Sequence, residues 1–142
     1  MSLDEVVAFA KSAHEGQLGK DSLPHWDHVQ RVMDNCRLIT DEEFVLKVAA
    51  LHDTVEDTSV TIEQIKALCG EEIANCVHVL TRQSDDSYER FVDEALSHWH
   101  YAVRVVKTAD LLDNLTRPDG AAYPHLRMRY KRAFLEQALH HE

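Results

Sequence analysis

The stretch Thr40-Asp41-Glu42-Glu43-Phe44-Val45-Leu46-Lys47-Val48-Ala49-Ala50-Leu51-His52-Asp53-Thr54-Val55-Glu56-Asp57 decides how the rest of the chain is read. Thr40 and Glu43 have the spacing of a capping box, and Phe44, Val48, Leu51 and Val55 recur at three- and four-residue intervals. That spacing predicts one helix with a continuous apolar stripe, and the same helix carries His52 and Asp53. A stripe of this kind must bury against other elements, and the segments on either side supply more helices. Upstream, Ser2 and Glu5 repeat the capping box, and a first helix runs to about Glu15 before Gly16 to Ser22 interrupts it. Pro24 suits a first helical turn, and His25, Val29, Val32 and Cys36 continue into a second helix that carries His28.

Downstream, Thr61 and Gln64 open a short helix that Gly70 stops, and Glu71 and Glu72 suit the positive end of the next one, through Ile73, Val77 and Leu80. Arg82 to Ser87 is polar and reads as a loop. Tyr88, Phe91, Ala95 and Leu96 predict a sixth helix, and Val103, Val106, Ala109, Leu112 and Leu115 a seventh. The β-branched run Val103 to Val106 is isolated, and a lone strand has nothing to pair with. Arg117 to Pro124 holds two prolines and Gly120 and reads as a turn before a last helix with Tyr130, Phe134 and Leu139. The expected fold class is all-α, a single domain over residues 1–142 built from about seven to eight helices.

Composition narrows the function. The chain has 142 residues, 44% hydrophobic and 28% charged, which is ordinary for a globular domain. Four Gly and three Pro are too few for the turns of a many-stranded sandwich or barrel. A formal charge of -10 opposes any diffuse grip on nucleic acid or anionic membrane. No apolar run reaches the ~18 residues of a membrane helix, and Asp4 and Glu5 stand where a signal peptide wants positive charge, so a cytoplasmic location is expected. Cys36, Cys69 and Cys76 lack CxxC spacing and read as reduced core thiols.

The chemistry concentrates in His52-Asp53-Thr54-Val55-Glu56-Asp57. About one His-Asp dipeptide is expected by chance in a chain of this composition, whereas requiring Glu and Asp three and four residues after that Asp lowers the figure below ~0.01. Lys107, Asp110 and Asn114, spaced i, i+3, i+7, place a cation, a carboxylate and an amide along one face of the seventh helix. Asp113 and Arg104 read as its solvated side. Imidazole and carboxylate without thiolate suit a catalytic divalent ion, Mn²⁺, Fe²⁺ or Zn²⁺, which acidifies water and screens phosphate charge. His14 reads as buried or pocket-lining, His78, His98, His100 and His125 as surface or partly buried, and Trp26 and Trp99 as packing residues. Arg127, Arg129, Lys131 and Arg132 form a basic cluster that reads as solvated.

His28, the His52 to Asp57 hexapeptide and Lys107-Thr108-Ala109-Asp110-Leu111-Leu112-Asp113-Asn114-Leu115 together resemble the HD superfamily of metal-dependent phosphohydrolases. HDxxED followed by KxADxxxNL is similar to the hydrolase domain of RelA/SpoT-type proteins and their small single-domain relatives, which remove pyrophosphate from guanosine tetraphosphate and pentaphosphate. His14-Glu15-Gly16-Gln17, Pro24 and Leu80-Thr81-Arg82 extend the likeness over nearly the whole chain. The resemblance implies an HD-type helical bundle and a metal, commonly Mn²⁺, held by His28, His52, Asp53 and Asp110. It also implies Glu56 and Asp57 as an acidic catalytic dyad and Asn114 near substrate.

Two positions depart from that pattern. Gly19-Lys20 stands where the family carries Arg-Lys, whose Arg packs on the purine, and His25 stands where the family has Tyr. The function expected is removal of pyrophosphate from the 3′ position of guanosine 3′,5′-bis(diphosphate), with Lys20 and Lys107 meeting phosphate charge. The competing expectations are an HD phosphohydrolase acting on a nucleoside monophosphate or a dinucleotide phosphate, and a nucleotide-binding protein without turnover. The partner expected in each case is a small nucleotide, with no nucleic acid and no membrane; oligomeric state is not legible.

Overall fold

In the computed structural model, which describes residues 1–19 and 22–116, every regular element is helical. Helix α1 (Leu3–Ala13) starts in the expected capping box: the Glu5 amide donates to Ser2 Oγ at 3.2 Å and the Ser2 amide donates to Glu5 Oε1 at 3.1 Å. After the break, Pro24 caps α2 (His25–Cys36), whose buried His28, Val29, Val32, Met33 and Cys36 follow the predicted spacing. Helices α5 (Ile62–Cys69) and α6 (Glu71–Val79) meet at Gly70, whose φ of +96° lets one residue end the first and start the second. Ser87 Oγ accepts the Arg90 amide to open α7 (Tyr88–Leu96), and α8 (Tyr101–Thr116) absorbs Val103 to Val106 as helix.

The central stretch departs from its prediction. Thr40 does not cap the helix; its hydroxyl accepts the Glu42 amide at 3.2 Å, and α3 (Glu43–Leu51) begins without a side-chain cap. The helix also stops at Leu51, so His52 and Asp53 lie in a bend before the single turn of α4 (Thr54–Asp57). Local competition for carbonyls accounts for the stop. His52 Nδ1 donates to Ala49 O at 2.6 Å and Thr54 Oγ1 donates to Leu51 O at 2.8 Å, in place of the backbone amides that would have continued the helix.

Helices α2, α3 and α8 form the centre: α8 packs on α2, α3 and α7, and α3 packs on α1, α2 and α6. Val32, Met33, Val48, Leu51, Val105 and Ala109 are all at most 1% exposed. Asn35 Nδ2 donates to Ala109 O at 3.1 Å, tying α2 to α8 inside that core. Cys36 and Cys76 are buried free thiols and Cys69 is half-buried, in keeping with reduced core cysteines. Two peripheral readings change. His100 is buried, stacked on Phe44 at 5.3 Å, with Nδ1 accepting the Ala102 amide at the start of α8 and Nε2 3.0 Å from Glu72. Trp99 is 82% exposed, touching the rings of His98 and His100 but not the core, whereas Trp26 is half-buried against the core. The turn over 117–124, the last helix, the basic cluster at 127–132, His125 and Lys20 lie outside the described residues. Among the described residues no helix is long and apolar enough to cross a membrane.

Candidate metal centre

Three segments distant in sequence bring the predicted residues to one place. Helix α2 supplies His28, the α3–α4 bend supplies His52 and Asp53, α4 supplies Glu56 and Asp57, and α8 supplies Lys107, Asp110 and Asn114. All eight line a cavity of about 300 Å³, together with His25, Leu80, Arg82, Tyr88, Phe91 and Val106. The bend matters here: a continuous helix would separate His52 from Asp53 by about 100°. Here Asp53 Oδ2 lies 3.2 Å from His52 Nε2 and 3.6 Å from His28 Nε2, and Asp110 Oδ1 lies 3.0 Å from His28 Nε2 and 3.7 Å from His52 Nε2.

Hydrogen bonds on the far side of each ring decide what the near side offers. His52 Nδ1 faces a carbonyl oxygen and must carry its proton. His28 Nδ1 donates at 2.6 Å to Asp113 Oδ2, whose carboxylate also accepts from Arg31 Nε at 2.6 Å. Each neutral imidazole therefore directs an Nε2 lone pair at the carboxylates of Asp53 and Asp110, an arrangement that is repulsive unless a proton or a metal ion intervenes. His52 Nε2 is buried with no hydrogen-bond partner among the described residues. Two imidazole nitrogens and two carboxylates converging in this way are a donor set that could hold a divalent ion, and the ligating atoms of His28, His52 and Asp110 fall within 4.8 Å of one another.

Without an ion, the same contacts displace the titrations. Burial alone would lower His28, but its bonds to Asp110 and Asp113 raise it to about 9. Burial likewise opposes charge on His52, and the nearby carboxylates, Asp53 first and then Asp110, lift it well above the usual imidazole range. Against burial, the Lys107 charge and the neighbouring imidazoles of His28 and His52 hold Asp110 far below the usual carboxylate range. Asp57 moves the other way: burial first, then the charges of Asp53 and Glu56, push it up to about 6.

The remaining side chains frame the cavity. Lys107 Nζ donates to Asp110 Oδ2 at 3.0 Å and lies 4.7 Å from the Phe91 ring centre. Glu56 Oε1 accepts the Arg82 amide at 2.7 Å, which ties the 82–87 loop to α4. His25 Nε2 lies 3.1 Å from Asp53 Oδ2 and 3.7 Å from Asp57 Oδ2. His14 is 2% exposed, bonded through Nδ1 to Gln17 and 4.8 Å from the His25 ring, and so is not part of the donor set.

Sequence reasoning missed Asp113, assigned above to the solvated side but only 2% exposed, and with it Arg31 and Arg82. A signal existed for the first two. His28 and Arg31 are three apart on α2, Asp110 and Asp113 are three apart on α8, and pairs at that spacing on facing helices can interlock.

An HD domain family model matches residues 6–104. Curated relatives include the guanosine-3′,5′-bis(diphosphate) 3′-pyrophosphohydrolase MESH1 of Danio rerio, 36% identical over 119 residues that cover 78% of this chain and 66% of the relative. MESH1 of Homo sapiens is 34% identical over 122 residues, with the same coverage. A probable guanosine-3′,5′-bis(diphosphate) 3′-pyrophosphohydrolase of Synechocystis is 32% identical over 124 residues, 81% of this chain and 16% of that protein. The chain thus spans just under two thirds of the length of its MESH1 relatives. Among solved structures, a metazoan SpoT ortholog described as hydrolysing ppGpp superposes with a TM-score of 0.73 at 23% identity, over 96% of this chain and 84% of that one. The protein lmo0812 from Listeria monocytogenes superposes with a TM-score of 0.61 at 26% identity, over 85% and 82%. The fold is the all-α bundle of the SpoT ortholog. The chain belongs to the HD domain family.

Proposed function

We propose that this chain is a divalent-metal-dependent phosphohydrolase that removes pyrophosphate from the ribose 3′ position of guanosine 3′,5′-bis(diphosphate). The observation that carries the reading is the pair of buried imidazoles whose Nε2 lone pairs face Asp53 and Asp110, because a divalent ion is what such a donor set accommodates. His28, His52, Asp53 and Asp110 hold the ion, for which Mn²⁺ suits the mixed imidazole and carboxylate donors. When bound, the ion lowers the pKa of water and offsets phosphate charge.

The chain's own residues supply the rest. Glu56, held by the Arg82 amide, orients a water molecule. Asp57, next to Glu56 on the single turn of α4, lines the same cavity and shares with it the handling of that water and its proton. The water oxygen bonds to the phosphorus attached to the ribose 3′ oxygen, the P–O3′ bond breaks to release pyrophosphate, and the departing 3′ oxygen takes up the proton that the acidic pair removed from the water. Lys107 and Arg82, which line the cavity, meet phosphate charge, Asn114 contacts the ribose or its phosphate, and Lys20 is assigned to phosphate from the sequence. The names of the relatives support guanosine bis(diphosphate) as substrate.

Incubation of the purified protein and Mn²⁺ with this nucleotide tests the reading: guanosine 5′-diphosphate and pyrophosphate in equal amounts are expected, and a chelator abolishes both. Release of orthophosphate alone, or turnover only of nucleoside monophosphates or dinucleotide phosphates, assigns the site to another small nucleotide. Glycine at position 19 leaves no cation to stack on a purine, so weak discrimination against the adenine analogue is expected, and Gly19→Arg raises guanine preference several-fold.

A further inference from the structure

We infer that His25, Asp53 and Asp57 form a second divalent-cation site that shares the Asp53 carboxylate with the His28, His52 and Asp110 set. The inference rests on the reading that the first set holds an ion. The ligating atoms of His25, Asp53 and Asp57 all lie within 4.8 Å of one another, one imidazole and two carboxylates beside the two imidazoles and one carboxylate of His28, His52 and Asp110. Asp53 Oδ2 is the junction, 3.1 Å from His25 Nε2, 3.2 Å from His52 Nε2 and 3.6 Å from His28 Nε2.

A hydrogen bond explains only part of this cluster. His25 Nε2 has a single proton, which its 3.1 Å contact directs to Asp53, leaving Asp57 Oδ2 at 3.7 Å and beyond hydrogen-bond reach. A cation among the three atoms engages all of them. Binding moves the imidazole proton to Nδ1, so that Nε2 presents a lone pair. The charge balance points the same way. Among the described residues, the cavity wall carries the carboxylates of Asp53, Glu56, Asp57 and Asp110 against the cationic side chains of Lys107 and Arg82. One divalent ion brings that wall to neutrality, and a second makes it positive, which is the condition for holding a polyphosphate anion. The site depends on this chain's own His25, since the tyrosine that the resembling proteins carry there is a poor ligand at neutral pH. One imidazole with two carboxylates suits Mn²⁺ or Fe²⁺.

The test strips the full chain of metal, loads it with Mn²⁺, and counts ions by elemental analysis after gel filtration, with low-temperature electron paramagnetic resonance on the same samples. Two Mn²⁺ per chain with an exchange-coupled signal are expected for the wild type. One Mn²⁺ with an uncoupled signal is expected for both His25→Tyr and Asp57→Asn, which remove ligands from different helices. A wild type that saturates at one uncoupled ion overturns the second site and leaves the proposed phosphohydrolase standing. A wild type that binds none removes both. Two coupled ions retained in His25→Tyr and Asp57→Asn would place the second ion elsewhere and equally overturn the assignment.

Discussion

Asp113 touches no cavity wall, yet it is the residue on which the orientation of His28 depends. Its carboxylate holds the His28 Nδ1 proton at 2.6 Å and is itself held by Arg31. Outer partners of this kind tune a ligand's basicity and fix its tautomer. Asp113→Ala is therefore expected to weaken Mn²⁺ affinity by ~10- to 100-fold, measured by titration calorimetry, while His52 and Asp53 remain in place. Unchanged affinity would detach His28 from the ion. Asp57 predicts a different result. Its carboxyl is raised to about 6 in the folded chain, so between the unfolded value near 3.8 and about 6 the folded state binds the extra proton and stability falls as pH rises. Above that window the charged side chain is a standing destabilisation. Asp57→Asn should raise the melting temperature of metal-free protein at pH 7.5 by about 3 °C while abolishing turnover, and no gain at pH 4 is expected.

At the scale of elements, the decisive feature is the stop at Leu51, because it allows His52 and Asp53 to face the same centre. Thr54 takes part through its hydroxyl, which is buried and bonded to Leu51 O. Thr54→Val keeps the shape and removes that bond, leaving the carbonyl unpaired at a cost of about 1–3 kcal/mol. The expected phenotype is joint: a lower melting temperature and a fall in kcat, since α3 and α4 can then merge into one helix and rotate Asp53 away. Thr61→Ala is the control, for it removes an exposed cap on α5 worth about 1 kcal/mol and should leave kcat unchanged. Equal effects of both on kcat would show that the bend is not what positions the site.

At the scale of the whole molecule, the donor set pins α2, the α3–α4 bend and α8 to one another, so proton and metal occupancy are coupled to folding. In metal-free protein His28 is raised to about 9, and the stability this contributes is fully present below the unfolded value near 6.5 and lost as pH rises through about 9. The loss is on the order of 3 kcal/mol for a side chain this buried. Mn²⁺ takes the place of those protons, and its stabilisation should grow as proton competition fades. Thermal melts at pH 6 and pH 9, each with chelator and with saturating Mn²⁺, should show a shift that is small at the lower pH and large at the higher. At a thousand times its dissociation constant a single ion stabilises the fold by about 4 kcal/mol. An equal shift at both pH values would count against imidazole ligation.

Much of this was legible in the chain because its information is local. Capping boxes at Ser2 and Thr61, the three- and four-residue apolar spacing and Gly70 determined helices close to their observed bounds, since each reflects short-range hydrogen bonding and the need to bury one face. Residue type determined the candidate donors, because only His and Asp among those clusters can offer a soft lone pair beside a hard oxygen. The folded structure decided the rest, partly through local side-chain bonds that periodicity does not register and partly through helix packing. Thr40 reads as a cap but spends its hydroxyl on Glu42, and the break at Leu51 follows from side chains of His52 and Thr54 competing for carbonyls that a periodicity pattern does not register. Asp113 looks like a solvated helix residue until α2 packs on α8 and brings Arg31 and His28 to it across 82 and 85 positions of sequence. Helical pattern states which face is buried; which ionised groups meet beneath that face depends on how two helices are set against each other, and only the packed core determines that.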